Sequence, residues 1–481
     1  MPGIVAYGAY VPRLRLQRSA VLQAHAWFSP ALKSLAKGER SVANWDEDVI
    51  TMATEAARDC APPVLHSRID TVLLASTTAP YADRQNAGIV KEALNLPDTV
   101  ATADLGGSQR AGTSALIQAL RSTGGGAEAV LCLAAERAKA RPASESELVN
   151  GDAAAAFVVG REDGIARFVG SHSVSIDFVD HFRSSGEAFD YTWESRWIRD
   201  EGYMKIAGNA LKDALERHSL SPAKVDRLAV AIPVKGVPEA LARKAGIDPA
   251  SVQDNLQATM GHSGPAHALV LLAHTLKSAR PGEHIVVVSF GQGCDVLIFQ
   301  VTDAILGHQH PVGVDGWLAR RKPEDNYMKY LFFNGLLDLE RGMRAELDQK
   351  QPLTALYRNR KAVLGLVGGR CRVTGTIQFP KSEISVAATS AQTGTQDDYP
   401  LADIPARILT YTADRLTYTP DPPNYYGMVA FEGGGRMLCE FADADESNVE
   451  VGTPVRMVLR IKASDEARHF TKYFWKAVPN V

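Results

Sequence analysis

Residues 109–120, QRAGTSALIQAL, and residues 262–276, HSGPAHALVLLAHTL, open alike, with small residues leading into an apolar helical stretch. A break follows each, Gly124 to Gly126 in the first and Pro281-Gly282 in the second. Each break leads to an apolar run, AVLCLA at 129–134 and HIVVVSF at 284–290. The agreement extends outward in both directions. Upstream, DVITMATEAARDC (48–60) leads to IDTVLLAS (69–76), and YMKIAGNALKDALERH (203–218) leads to VDRLAVAI (225–232). Downstream, GDAAAAFVVG (151–160) is matched by GQGCDVLIFQV (291–301). Unbroken apolar runs of this length read as strands covered on both faces. Three elements recurring in one order read as a duplication. The expected fold class is α/β, with one half at 1–165 and another at 166–312. Their small-residue helices should meet at the centre, because Ala, Gly and Ser permit close approach. Ligands in such folds bind at strand and helix ends where the halves meet.

The last third reads differently. Residues 313–360 are rich in charge and aromatics (GWLARRKPEDNYMKYLFFNGLLDLERGMRAEL), with Tyr330, Leu331, Phe333 and Leu336 at helical spacing, and are expected to form a helical linker. From about 396 short alternating strands take over: ARILTYTADRLTY, YYGMVAFEGGGRMLCEF and PVRMVLRI. Gly433 to Gly435 suit a hairpin turn, and the set implies a small β-barrel within 361–481.

Composition narrows the class. The 481 residues are 45% hydrophobic and carry a formal net charge of −3. No block of like charge is present, so neither a nucleic-acid nor a membrane-surface partner is expected. The opening MPGIVAYGAYVPRLRL alternates like a strand, unlike a secretory signal, and no window is long and apolar enough to span a bilayer. Five cysteines (Cys60, Cys132, Cys294, Cys371, Cys439), odd in number and without a pairing pattern, fit a reducing compartment. A cytoplasmic location is expected.

GIVAYGAYVPRLRL (3–16), RSVANWDEDVITMATEAA (40–57) and DLGGSQRAGTSAL (104–116) resemble the thiolase superfamily, and in particular the archaeal type of hydroxymethylglutaryl-CoA synthase. The likeness covers roughly residues 1–310. It implies a duplicated thiolase-like fold, a coenzyme A thioester as substrate with no permanently bound cofactor, and a homodimer formed through the first half, with AVLCLA as the edge. The C-terminal pieces resemble the OB-fold domain that accompanies thiolase-like enzymes, usually preceded by a zinc ribbon. In GGRCRVTGTIQFPKSEISVAATS (368–390) only Cys371 survives; Thr374 stands at the second ligand position and Ser385 near the third. One thiolate cannot supply a tetrahedral zinc site. No metal is expected.

The resemblance implies a cysteine nucleophile, a glutamate acid/base and a histidine. Through the matching motifs they fall on Gln109 in SQRAGT, on Thr77 or Thr78 in ASTTAPYA, and on Ala231 in VAIPVKGVP. All three are replaced. An amide cannot attack a thioester at neutral pH. It can donate a hydrogen bond to an oxyanion or enolate formed at the same place. The candidate catalytic residues are therefore Gln109, His262, which opens the second-half helix where the superfamily places an Asn or His, and Gly293. The last belongs with Gly291 to the turn SFGQGCDV, which matches the Gly-rich turn of the superfamily's oxyanion site. A histidine at a buried helix N-terminus favours its neutral form, suited to a general base or a hydrogen-bond donor. Arg110 and Lys235 are candidates for coenzyme A phosphate contacts. Tyr81, Tyr203, His267, His274 and Cys294 read as packing residues.

Three functions follow. The first is non-covalent aldol or retro-aldol chemistry on a 3-hydroxyacyl-CoA. The second is decarboxylation of a malonyl-type thioester, which shares the enolate. The third is a non-catalytic acyl-CoA-binding scaffold whose OB-fold domain holds a partner thiolase.

Overall fold

The computed structural model describes residues 1–162, 164–308, 311–387 and 392–480. The chain divides into two compact units. One comprises Met1–Asn44, Asp48–Gly88 and Pro97–Asn334; the other comprises Trp45–Glu47, Ile89–Leu96 and Gly335–Val481.

In the first unit a nine-stranded sheet runs in the order Arg227–Ala231, His284–Phe290, Gly293–Val301, Ala166–Ser175, Gly3–Tyr10, Ala153–Gly160, Ala129–Glu136, Ile69–Ala75, Ala101–Leu105. The two halves join where Gly3 and Ile4 pair antiparallel with Arg167 and Ala166. Outward from that seam the same sequence of partners appears on each side. Ile69–Ala75 corresponds to Arg227–Ala231, Ala129–Glu136 to His284–Phe290, and Ala153–Gly160 to Gly293–Val301. Within each half the first two of these strands are parallel, as helical crossovers require. The duplication is thus present in register as well as in sequence. The first half carries one further strand, Ala101–Leu105; in the second its place is held by a single parallel bridge, Leu228 to Val252.

Helix Ala111–Gly125 precedes Ala129–Glu136, and helix His267–Lys277 precedes His284–Phe290. Both helices bury most of their residues. They meet through small residues. A Cβ added at Gly112 would lie 2.2 Å from the Pro265 carbonyl oxygen and 3.2 Å from the Ala134 Cβ, so the close approach depends on glycine. The helix expected over 203–218 begins earlier and in two forms. Ile198–Ala207 is wound with i→i+5 hydrogen bonds before regular α-helix resumes at Gly208–Arg217. Tyr203 packs edge-on against Phe290, with ring centroids 5.0 Å apart.

The structure corrects one expectation. Ala129–Glu136, read as a sheet edge, is hydrogen-bonded on both sides and wholly buried. Its apolarity reflects burial between neighbours. The edge of the first half is Ala101–Leu105, whose residues are exposed or half-buried. Of the expected linker, helix Tyr327–Phe333 belongs to the first unit. Its Tyr327 and Tyr330 join Leu16, Val21, Leu32, Val42 and Leu148 in a small core.

In the second unit five antiparallel strands run in the order Arg436–Glu440, Asn424–Phe431, Ala406–Asp414, Pro454–Asp465, Phe470–Pro479. Alternate residues of Asn424–Phe431 are buried, the pattern of a sheet covered on one face. The expected barrel is not closed by a ladder. Among the described residues, the outer strands approach closure at one bridge, Phe441 to Ala477. Trp475 is fully buried and its indole N–H donates to the Leu364 carbonyl at 2.7 Å.

A smaller sheet, Ile377–Gln378, Val367–Cys371 and Gln396–Pro400, carries the ribbon-like stretch, of which residues 388–390 lie outside the described residues. The Cys371 thiol lies 3.1 Å from the Thr395 hydroxyl, and the Thr374 hydroxyl donates to that of Thr376 at 2.9 Å. No cluster of three or more His, Cys, Asp or Glu suited to a metal occurs among the described residues. Arg460, fully buried, is paired with Glu47 and with Asp443 at 3.0 Å, while Lys476 pairs with Asp46 at 3.0 Å. No described helix is long and apolar enough to cross a membrane.

Candidate functional site

Gln109 precedes the N-terminus of the helix Ala111–Gly125, and His262 lies on the loop before its second-half counterpart. The loop is pinned to the first half by backbone bonds. The His262 N–H donates to the Val149 carbonyl at 2.8 Å, and the Gly151 N–H to the His262 carbonyl at 2.9 Å. Gln109 and the His262 loop, one from each half, therefore meet near the helix ends, where duplicated folds of this kind bind ligands.

Two residues that sequence reading did not single out complete the cluster. The Gln109 amide Nε2 lies 3.2 Å from Nε2 of His181, and Nδ1 of His181 lies 3.1 Å from Oδ2 of Asp180. His181 sits on the two-residue strand His181–Phe182, paired with Tyr191–Thr192. The Asp180 side chain is buried, and its Oδ1 has no hydrogen-bond partner among the described residues, so His181 is where its charge is directed. Burial alone would lower the pKa of His181. The hydrogen bond and charge of Asp180, with the charge of Asp190, outweigh it and raise the value.

The second is Glu136, at the end of a central strand and 1% exposed. Burial raises its pKa, against hydrogen bonds from its neighbours. The Ser76 hydroxyl donates to it at 3.0 Å, the Thr77 N–H at 2.9 Å and the Thr77 hydroxyl at 2.6 Å. A carboxylate thus stands against Thr77, at the motif where the resemblance expects glutamate, but it arrives from another strand. Gly264, at φ +48°, faces this group; a Cβ there would come 2.8 Å from Oε1 of Gln109 and 3.1 Å from Cγ of Glu136. Arg183 donates to the Thr77 carbonyl at 2.5 Å and pairs with Asp190 at 3.4 Å.

Burial pushes the His262 pKa down to about 4, with the charge of His181 adding to the effect and the Ala231 carbonyl opposing it. The ring is neutral at neutral pH. Its Nδ1 accepts from the Gly264 N–H at 3.2 Å, which places the ring proton on Nε2. His262 is thereby a hydrogen-bond donor, and a poor base. The His267 ring lies beside it, tilted by 37° with centroids 4.4 Å apart, and is likewise held neutral by burial.

The other expected site residues fare differently. Arg110 is consumed internally. Its Nε donates to the Gly291 carbonyl at 2.9 Å, while its terminal nitrogens reach Asp295 at 3.0 Å and Ser175 at 2.8 Å. With Asp295 1% exposed, the guanidinium neutralises a buried acid. Lys235 is exposed, in the turn between strand Arg227–Ala231 and helix Val237–Ala245. Gly291 spends its N–H on the Gly293 carbonyl at 3.0 Å. Gly293 has φ +116°, and a Cβ on it would lie 1.9 Å from the Val174 carbonyl oxygen, so strand packing alone requires glycine there. Cys294 is buried, and burial pushes its thiol pKa far up.

Against solved structures, the chain is similar to an HMG-CoA synthase crystallised in complex with CoA, with TM-score 0.59 and 18% identity over 73% of this chain and 94% of that one. It is also similar to 3-oxoacyl-[acyl-carrier-protein] synthase III from Aquifex aeolicus, with TM-score 0.54 and 19% identity over 62% of this chain and 100% of that one. These likenesses define the fold class as thiolase-like. The family model for the ChsH2 C-terminal OB-fold domain matches residues 399–460. Among curated proteins, the hydroxymethylglutaryl-CoA synthase of Pyrococcus furiosus is 30% identical over 332 residues, 67% of this chain and 93% of that protein. That of Archaeoglobus fulgidus is 31% identical over 341 residues, 69% and 98% respectively. The chain belongs to the hydroxymethylglutaryl-CoA synthase family of the thiolase superfamily, and adds an OB-fold domain at its C-terminal end.

Proposed function

We propose that this protein makes or breaks a carbon–carbon bond in a coenzyme A thioester without a covalent acyl-enzyme, by aldol or retro-aldol chemistry on a 3-hydroxyacyl-CoA. What supports the reading is the amide of Gln109, at the position the resemblance gives to the nucleophile, together with the burial of all five cysteines. An amide donates to an enolate oxygen but does not accept an acyl group. The neutral His262 supplies a second donor from the other half. Removing the nucleophile and keeping the enolate site leaves the second half-reaction of the family, addition of a thioester enolate to a carbonyl, or its reverse. The protein acts as a homodimer joined through the first half.

The test is incubation with acetyl-CoA and with a panel of 3-hydroxyacyl-CoAs. The protein mass should stay unchanged with acetyl-CoA, while a 3-hydroxyacyl-CoA is split into a carbonyl compound and a shorter acyl-CoA. Gln109→Ala should slow cleavage by about 10²-fold, the worth of one oxyanion donor. An acetylated protein would overturn the reading. Release of carbon dioxide from malonyl-CoA without cleavage would select decarboxylation instead. Inactivity with a co-purifying thiolase would select the scaffold.

A further inference from the structure

We infer that His181, oriented by Asp180, is the proton-transfer residue of this site. The inference rests on the aldol or retro-aldol reading above and deepens it.

The geometry divides the labour between two histidines. His262 has its Nδ1 engaged by the Gly264 N–H and its proton on Nε2, so it can only donate. His181 has the opposite arrangement. Its Nδ1–H faces the buried Asp180 carboxylate at 3.1 Å, and its Nε2 lone pair faces the site, where the Gln109 amide meets it at 3.2 Å. A carboxylate behind an imidazole fixes the tautomer and stabilises the imidazolium that forms when the outer nitrogen takes a proton. The other Asp180 oxygen, Oδ1, meets no hydrogen-bond donor among the described residues. The charged and titratable groups facing His181 are Asp180, Asp190 and Arg183 from its own segment and His262 from the second-half loop. The acids prevail and raise its pKa, whereas that of His262 is lowered. Two groups driven apart in this way take up the acid/base and the donor roles separately.

In the cleavage direction, Nε2 of His181 removes the proton of the 3-hydroxyl group. The C2–C3 bond breaks and C3 becomes the carbonyl carbon of the released aldehyde or ketone. The bonding pair moves onto the thioester as an enolate, whose oxygen is held by Gln109 and His262. The proton on His181 is then delivered to C2, which yields the shorter acyl-CoA and restores the neutral imidazole. Asp180 is a positioning residue and takes no proton.

The experiment compares wild type, His181→Gln, His181→Ala and Asp180→Asn in steady-state cleavage of a 3-hydroxyacyl-CoA across pH 5–9, with ¹⁵N NMR of the histidine rings in the ligand-free protein. Both His181 variants should lose about 10²-fold or more in kcat with KM little changed, the usual worth of a positioned proton acceptor. The acidic limb of the pH profile should disappear with them. Asp180→Asn should retain more activity, with the limb and the His181 ring titration displaced to lower pH together. Wild-type cleavage with either His181 variant within about twofold of it, or an Asp180→Asn limb that does not move, overturns the inference alone. A wild type that cleaves no 3-hydroxyacyl-CoA overturns the reaction reading, and the inference with it. Thermal melts of the variants separate unfolding from a chemical loss, and the Gln variant guards against collapse of the site.

Discussion

Gly264 and Gln109 touch across the seam between the two halves, close enough that a methyl group on Gly264 would meet the amide oxygen at 2.8 Å. The same methyl would press on Glu136 at 3.1 Å. Gly264→Ala therefore tests whether the amide must sit where it does. The φ of +48° alone should cost about 1–2 kcal/mol for a residue with a Cβ. We expect a protein that folds with a melting temperature a few degrees lower and cleaves at least about tenfold more slowly, since misplacement near the chemistry is costly. Full cleavage by a folded Gly264→Ala protein would mean that the amide position is immaterial.

The neutral His262 predicts a pH dependence of stability. Its imidazole resists protonation down to about pH 4 when folded, against an ordinary value of 6.5. Between those values the unfolded chain binds a proton that the folded chain refuses. Stability is therefore lost as pH falls through that window, by up to about 1.4 kcal/mol per pH unit for this one group. His267 adds a loss of the same sign. Urea unfolding at pH 7 and pH 5 should show His262→Asn losing less stability between the two than wild type, with the His267 contribution common to both. Equal losses would show that the ring is not held neutral.

Which parts of this were legible in sequence follows from the range of the interactions. The duplication was legible because burial on both faces writes unbroken apolar runs such as AVLCLA and HIVVVSF, and these recur with their helices. The same runs misled about the sheet edge, since apolarity records burial and not which neighbour causes it. The ion pair of Arg110 with Asp295 was not legible, because the counterion comes 185 residues later. Glu136 had a signal that could have been used, a lone acid ending a wholly apolar strand on the side where ligands bind. His181 had none. Its segment carries no motif, and only the fold brings it to Gln109.

The exposed strand Ala101–Leu105 is where the proposed homodimer would form. It is the free edge of the first half and lies a few residues before Gln109 in the chain. Pairing with its copy across a two-fold axis would extend the sheet and remove an unpaired edge. Light scattering at micromolar concentration should give about twice 51.9 kDa for wild type. Ala103→Lys, which places a charge on that strand, should shift the mass towards a monomer. A monomeric wild type, or a dimer indifferent to Ala103→Lys, would exclude this edge.

The acids that neutralise Arg460 and Lys476 bear on how the chain can be divided. Glu47 and Asp46 belong to the same compact unit as these cations, yet they are encoded some four hundred residues upstream, inside the stretch that otherwise builds the other unit. A fragment beginning at Gly335 would keep Asp443 beside Arg460 and Glu440 beside Lys476 but lose Glu47 and Asp46, so each buried cation would be left with part of its countercharge missing. The OB-fold portion is thus not a detachable cassette. Were the gene ever split at this point, the upstream product would have to lend its Trp45–Glu47 segment across a non-covalent boundary, so that the separated pieces would behave as obligate complements.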